Sequence, residues 1–200
     1  MPRPCFLHPP REAFDAAHML SLAVDAHLAG DSSAAEHFIK GADNPIIRDW
    51  TESIWGRNSP HVRPKVQTVS LTIAERIATR MPNAAEKAAL HRRDGYHCRF
   101  CGLPVIRTDT RKRIAQAYPL ALPWGLTNAT QHAAFQAMWA QYDHLVPHSR
   151  GGDNSADNMV VTCAPCNFGR MDYLLEEVDL AHPFAREPIL STWDGLERFR

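Results

Sequence analysis

The sequence predicts an α+β fold, in which a mainly helical first portion precedes a compact β, loop, β, α unit stapled by a four-cysteine metal site. Three observations predict it. Apolar residues in the first half recur at helical spacing; two short apolar runs, Leu145-Val146-Pro147 and Met159-Val160-Val161, flank a Gly- and Asn-rich connection; and two Cys-x-x-Cys pairs bracket that region.

The chain opens on Pro2, Pro4, Pro9 and Pro10, an extended lead-in, because proline removes helix donors. Phe14, Ala17, Met19, Leu20, Leu22, Val24 and Leu28 then offer one apolar helix side, which Gly30 ends. Asp31 or Ser32 is placed to cap a second helix to about Lys40, and Ile46 to Trp55 forms a third with Trp50 and Trp55 as core anchors. Residues 56–64 read as a loop. The β-branched stretch Val66 to Ile73 is compatible with a strand or with the start of a helix carrying Ala74 to Arg80. Pro82-Asn83 opens a helix from Ala84 to about Arg93, closed by Asp94-Gly95. Tyr96 to Val105 makes a knuckle around the first cysteine pair, Arg107 to Arg113 is basic and polar, and Thr127 starts a helix through Ala140. After the two apolar strands, Ala164 onward reads as helix to about Glu177. The expected divisions are a helical extension at 1–80, a functional domain at 81–178 with an insertion at about 103–140, and a C-terminal tail at 179–200.

The 200 residues are 44% apolar and 22% charged, which describes a folded chain and excludes a disordered one. No run reaches the roughly 18 apolar residues of a membrane span, and no secretory core follows the N-terminus, so the expected compartment is the cytoplasm. Lys and Arg balance Asp and Glu at 22 each. The balance hides a pattern: Arg76 to Arg113 carries ten basic residues against three acidic, and Met171 to Arg200 carries three against seven. Such clustering can give a neutral protein one basic face for phosphates.

Four of the five cysteines form the pairs Cys98/Cys101 and Cys163/Cys166, with 61 residues between the pairs. Each pair can present two sulfurs from one turn, and two turns complete a closed S4 shell suited to structural Zn2+. Local disulfides, free thiols and iron are the competing uses of these residues. Cys5 is left over.

Between the pairs runs Asp143-His144-Leu145-Val146-Pro147-His148-Ser149-Arg150-Gly151-Gly152-Asp153-Asn154, continuing through Asp157-Asn158 and Met159 to Cys163-Ala164-Pro165-Cys166-Asn167. This stretch resembles the HNH endonuclease family, as does Arg93-Asp94-Gly95-Tyr96-His97-Cys98-Arg99-Phe100-Cys101-Gly102 ahead of it. The resemblance covers about residues 84–176. It implies a ββα-metal (HNH) module with structural zinc, and metal-dependent endonuclease activity that leaves 5′ phosphates.

Carried over by position, the resemblance implies His144 as general base, Asp143 as a carboxylate ligand of the catalytic metal, Asn158 as the holder of the hairpin loop that also helps orient the base, and Asn167 as the final metal ligand. Many members have His at that last position. An amide oxygen there favours a hard ion, Mg2+ or Mn2+. Elementary chemistry agrees with this arrangement: adjacent strand residues point to opposite faces, so Asp143 can hold an ion while His144 approaches a water. An imidazole is largely neutral at cellular pH and able to accept a proton.

The candidates for nucleic-acid contact are Arg111, Lys112, Arg113, His148, Arg150 and Arg170, with the insertion either tracking a duplex backbone or covering the core. The expected partner is double-stranded DNA, with RNA not excluded, no membrane, and a homodimer as one assembly that would pair two single-strand-cleaving sites. The alternative function is a zinc-stabilised DNA-binding or assembly module that does not cleave.

Overall fold

The computed structural model describes residues 1–55, 59–61 and 70–200. Most of the loop expected at 56–64, and the first half (66–69) of the β-branched stretch expected at 66–73, lie outside these residues, and 70–72 form no strand.

Helix α1 (Arg11–Leu28) buries Ala13, Ala16, Ala17, Leu20, Ala23 and Val24, the i, i+3, i+4 stripe of an amphipathic helix. The stripe differs from the one expected, because Phe14 and Leu28 are exposed and alanines form much of the buried side. Helix α2 (Ser32–Gly41) folds back on α1 after Gly30, whose φ of +82° suits glycine; Asp31 caps α2 by accepting from the Ala34 amide at 2.9 Å. Helix α3 (Pro45–Ile54) starts at an Asn44 cap with Pro45 in its first turn, and it buries Ile47, Trp50, Thr51 and Ile54.

The expected helix over Ala74 to Arg80 is instead a single 3-10 turn, Ile73–Glu75, followed by irregular chain. Helix α4 (Ala84–Asp94) has a reciprocal cap: Asn83 accepts from the Ala85 and Glu86 amides, and Glu86 accepts from the Asn83 amide. Gly95, at φ +70°, ends it. Buried Asp94 then ties α4 to the rest by accepting from the Val161 amide at 2.8 Å and pairing with Arg93 and Arg99.

One further expectation is corrected in the insertion, and one segment left without an element gains one. The basic stretch is a helix, α5 (Thr108–Ala117), and its buried positions are Thr110, Arg111 and Ile114. The helix expected from Thr127 to Ala140 is reduced to α6 (Ala133–Ala137), preceded by a 3-10 turn at Asn128–Thr130. The cause is tertiary: Ile106 donates to the Met138 carbonyl at 2.7 Å and accepts from the Ala140 amide at 2.9 Å, which pairs the chain at Trp139 with Ile106 in a parallel β-bridge and ends the helix.

Strand β1 (Gln141–His144) pairs antiparallel with β2 (Met159–Thr162), with Asp143 opposite Val160 and His144 opposite Met159. The first strand therefore ends where Leu145-Val146-Pro147 was expected to begin it, so Asp143 and His144 sit in the ladder itself. Helix α7 (Ala164–Arg170) completes the ββα unit. It stops seven residues short of Glu177, because Met171 turns to φ +56° and Glu177 caps a separate 3-10 turn by accepting from the Leu174 amide. Residues 179–200 run back over the knuckle. Arg99 donates to the carbonyls of Pro183 and Arg186, Trp193 donates to that of Val105, and Leu196 and Phe199 are buried. One contiguous apolar core reaches from α1 to Phe199. Among the described residues no helix is long and apolar enough to cross a membrane.

Candidate functional site: a four-thiol cluster beside a histidine cavity

Local geometry builds the thiol cluster. In the knuckle, the Cys98 amide donates to Leu103 and the Gly102 amide returns to Cys98, with Gly102 at φ +79°, so Cys98 and Cys101 share one tight turn. Cys163 is the N-cap residue of α7 and Cys166 lies in its first turn. The Arg99 amide donates to Val161 at 2.9 Å and brings the turns together. All four sulfurs lie within 4.8 Å of one another. A tetrahedral Zn–S bond of about 2.3 Å sets sulfurs about 3.8 Å apart, so the cluster can chelate a metal ion and suits structural Zn2+. Cys5 stands outside it, with burial pushing its thiol up to about 12, where it stays protonated.

In β1, Asp143 is 5% exposed, and both its oxygens accept from Arg170: Nε donates to Oδ2 at 2.8 Å and Nη2 to Oδ1. Arg170 also donates to the carbonyls of His144 and Tyr173. Burial raises the Asp143 pKa, and the Arg170 charge opposes the rise. The buried guanidinium thus links β1 to the end of α7, and although Arg170 lies in the wall of the cavity described below, its charge is already matched by Asp143. Removing one member of such a pair leaves a buried charge unmatched. Arg170→Met is therefore expected to lower unfolding free energy by about 3–5 kcal/mol in denaturant titration, with much of the loss recovered when Asp143 is replaced by Leu in the same chain.

His144 is 7% exposed, and its Nε2 lies 2.8 Å from Oδ1 of Asn154. The Asn154 amide group donates to the Thr79 carbonyl at 2.9 Å. That second bond fixes the amide orientation, so Oδ1 must accept and Nε2 of His144 must carry the proton. Neutral His144 consequently keeps its lone pair on Nδ1. Burial lowers the His144 pKa, and the Asn154 hydrogen bond and the Asp143 charge oppose this.

Asn158 accepts from the Val146 amide at 2.8 Å and donates to the carbonyls of Val146 and Asp153, closing the hairpin loop. Gly152 is needed in that loop, because a Cβ would strike the Val146 carbonyl oxygen. Asn158 makes no hydrogen bond to His144. The residue that does, Asn154, was not singled out from sequence, where an Asn after Gly-Gly reads as turn chemistry.

Asp143, His144, His148 and Asn167 line one cavity of about 950 Å3. Its further wall is the segment around Ile73 to Met81, which contributes Arg76 and Arg80, likewise not singled out individually from sequence. The other basic candidates face elsewhere. Arg111 is buried with its guanidinium 3.6 Å from the Trp124 ring centre, and Arg150 pairs with Glu177 at 2.9 Å. Of the basic candidates on α5 only Lys112 and Arg113 are exposed, outside this cavity, and the insertion helix covers core with its buried side. His148 donates through Nε2 to the Ile77 carbonyl at 2.8 Å.

Residues 132–170, from the approach to α6 through the end of α7, match a family model described as HNH endonuclease. No curated protein and no solved structure matches the chain. The matched segment contains the hairpin, the second cysteine pair, Asn167 and Arg170. It is a small HNH-like module beside a four-thiol cluster, preceded by mainly helical chain.

Proposed function

We propose that the protein is a metal-dependent endonuclease that hydrolyses phosphodiester bonds of DNA, with His144 as its general base. The observation that carries this reading is the Asn154 bond, which holds His144 in one tautomer inside the cavity that also contains Asp143 and Asn167. An imidazole so fixed can take a proton from an attacking water at Nδ1. The imidazolium that forms keeps its Nε2 proton bonded to Asn154 and gains from the neighbouring Asp143 charge.

Asp143 and Asn167 would hold Mg2+ or Mn2+. They fit a hard, hydrated ion: each Asp143 oxygen keeps a second lone pair beyond its bond from Arg170, and Asn167 offers an uncharged amide oxygen. The nearby guanidinium makes this a weak site. When bound, the ion supplies charge stabilisation at the phosphate and the leaving 3′ oxygen. Zn2+ in the four-thiol cluster is the proposed structural metal, and double-stranded DNA is the proposed substrate.

The expected result is nicking of supercoiled plasmid by zinc-loaded protein at millimolar Mg2+ or Mn2+, and none when neither ion is added. A second reading, a DNA-binding module that does not cleave, draws its support from the Asp143–Arg170 pair. Plasmid bound but left intact across both metals would replace the first reading with the second.

A further inference from the structure

Resting on the nuclease reading above, we propose that Arg76 and Arg80 bind backbone phosphates of the nucleic acid, presented by a strap, residues 71–81, along one wall of the cavity. The strap is fixed to the hairpin loop at three points. The Leu71 amide donates to the Ser149 carbonyl at 2.8 Å, His148 donates to Ile77, and Asn154 donates to Thr79. Its position therefore follows the loop that carries the histidine. One side chain, Asn154, bonds both His144 and the residue before Arg80, so base and arginine are set in a common frame.

The charge at this cavity points the same way. Arg170 is matched by Asp143, Arg150 is matched by Glu177, and Arg111 is buried against Trp124. Arg76 and Arg80 line the cavity, and neither forms an ion pair with any described residue. Arg80 is exposed. Arg76 donates from Nε to the Leu71 carbonyl at 3.0 Å, which orients the guanidinium, and its two Nη groups have no hydrogen-bond partner among the described residues. A planar fork with unused donors, beside a base suited to activating water, matches the paired oxygens of a phosphodiester. These contacts carry no base information, so they position the chain of phosphates whatever its sequence.

The test compares Arg76→Gln/Arg80→Gln with the charge-matched Lys112→Gln/Arg113→Gln, whose residues are exposed on α5 outside the cavity. Both are made in a His144→Ala background, so that cleavage does not consume the duplex. Affinity for a short mixed-sequence duplex is measured across a salt series. Loss of two phosphate contacts is expected to reduce the slope of log affinity against log salt by about 1.8, while the α5 pair leaves it near the parent value. An unchanged slope in the strap variant overturns the assignment, as does an equal fall in both pairs, which would report bulk charge. If the parent binds duplex and the His144 protein cleaves it, such an outcome removes the strap assignment alone. If no duplex is bound or cleaved at any salt, the nuclease reading falls with it.

Discussion

Replacing Cys163 with Ser is expected to abolish stoichiometric zinc binding and the cooperative unfolding transition together. The reason is the position of this sulfur: Cys163 sits where β2 passes into α7, and its partners Cys98 and Cys101 lie in the knuckle that follows α4. Loss of one ligand frees two segments that the chain itself joins only through 61 intervening residues. Structural zinc supplies on the order of 10–16 kcal/mol in small zinc-folded peptides, which exceeds the whole net stability of most domains. Elemental analysis beside thermal unfolding checks this. A zinc-free variant that melts as cooperatively as the parent would remove the structural role.

His144→Ala is expected to lower single-turnover cleavage by about 10²–10⁴-fold while zinc content, fold and duplex affinity are retained. The side chain is lost from the cavity, and the principal new cost is an unpaired oxygen on Asn154, which water can reach in a space of about 950 Å3. Asn154→Ala should fall between the parent and His144→Ala, because Nδ1 is still present and only its orientation is relaxed. Asp143→Asn is expected to raise the Mg2+ concentration needed for half-maximal rate. Near-parental turnover in His144→Ala would exclude it as the base.

The parts legible in the sequence are those set by neighbouring residues. Cys-x-x-Cys forces two sulfurs into one turn whatever surrounds it, and the caps at Asp31, Asn83 and Gly95 act within a few residues of themselves. The Asp143 to Asn167 motif is likewise contiguous, and the fold brings Asp143, His144 and Asn167 to one cavity. What escaped the sequence depended on distant partners. Arg111 reads as a surface charge until Trp124 covers it, and Arg170 does so until Asp143, on another element, takes its guanidinium. The helix expected through Ala140 ended early because Ile106 captured its last carbonyl and amide groups. The role of Asn154 required the hairpin to close and the strap to lie against it, two events that no local pattern encodes.

The reaction proposed is hydrolysis at phosphorus by a water activated at His144. The most direct measurement is end mapping of products from a mixed-sequence duplex library incubated with zinc-loaded protein and Mg2+. The expected products are fragments bearing 5′ phosphates and 3′ hydroxyls, formed by the parent and not by His144→Ala. Products with the opposite ends, or the same fragments from both proteins, would contradict it.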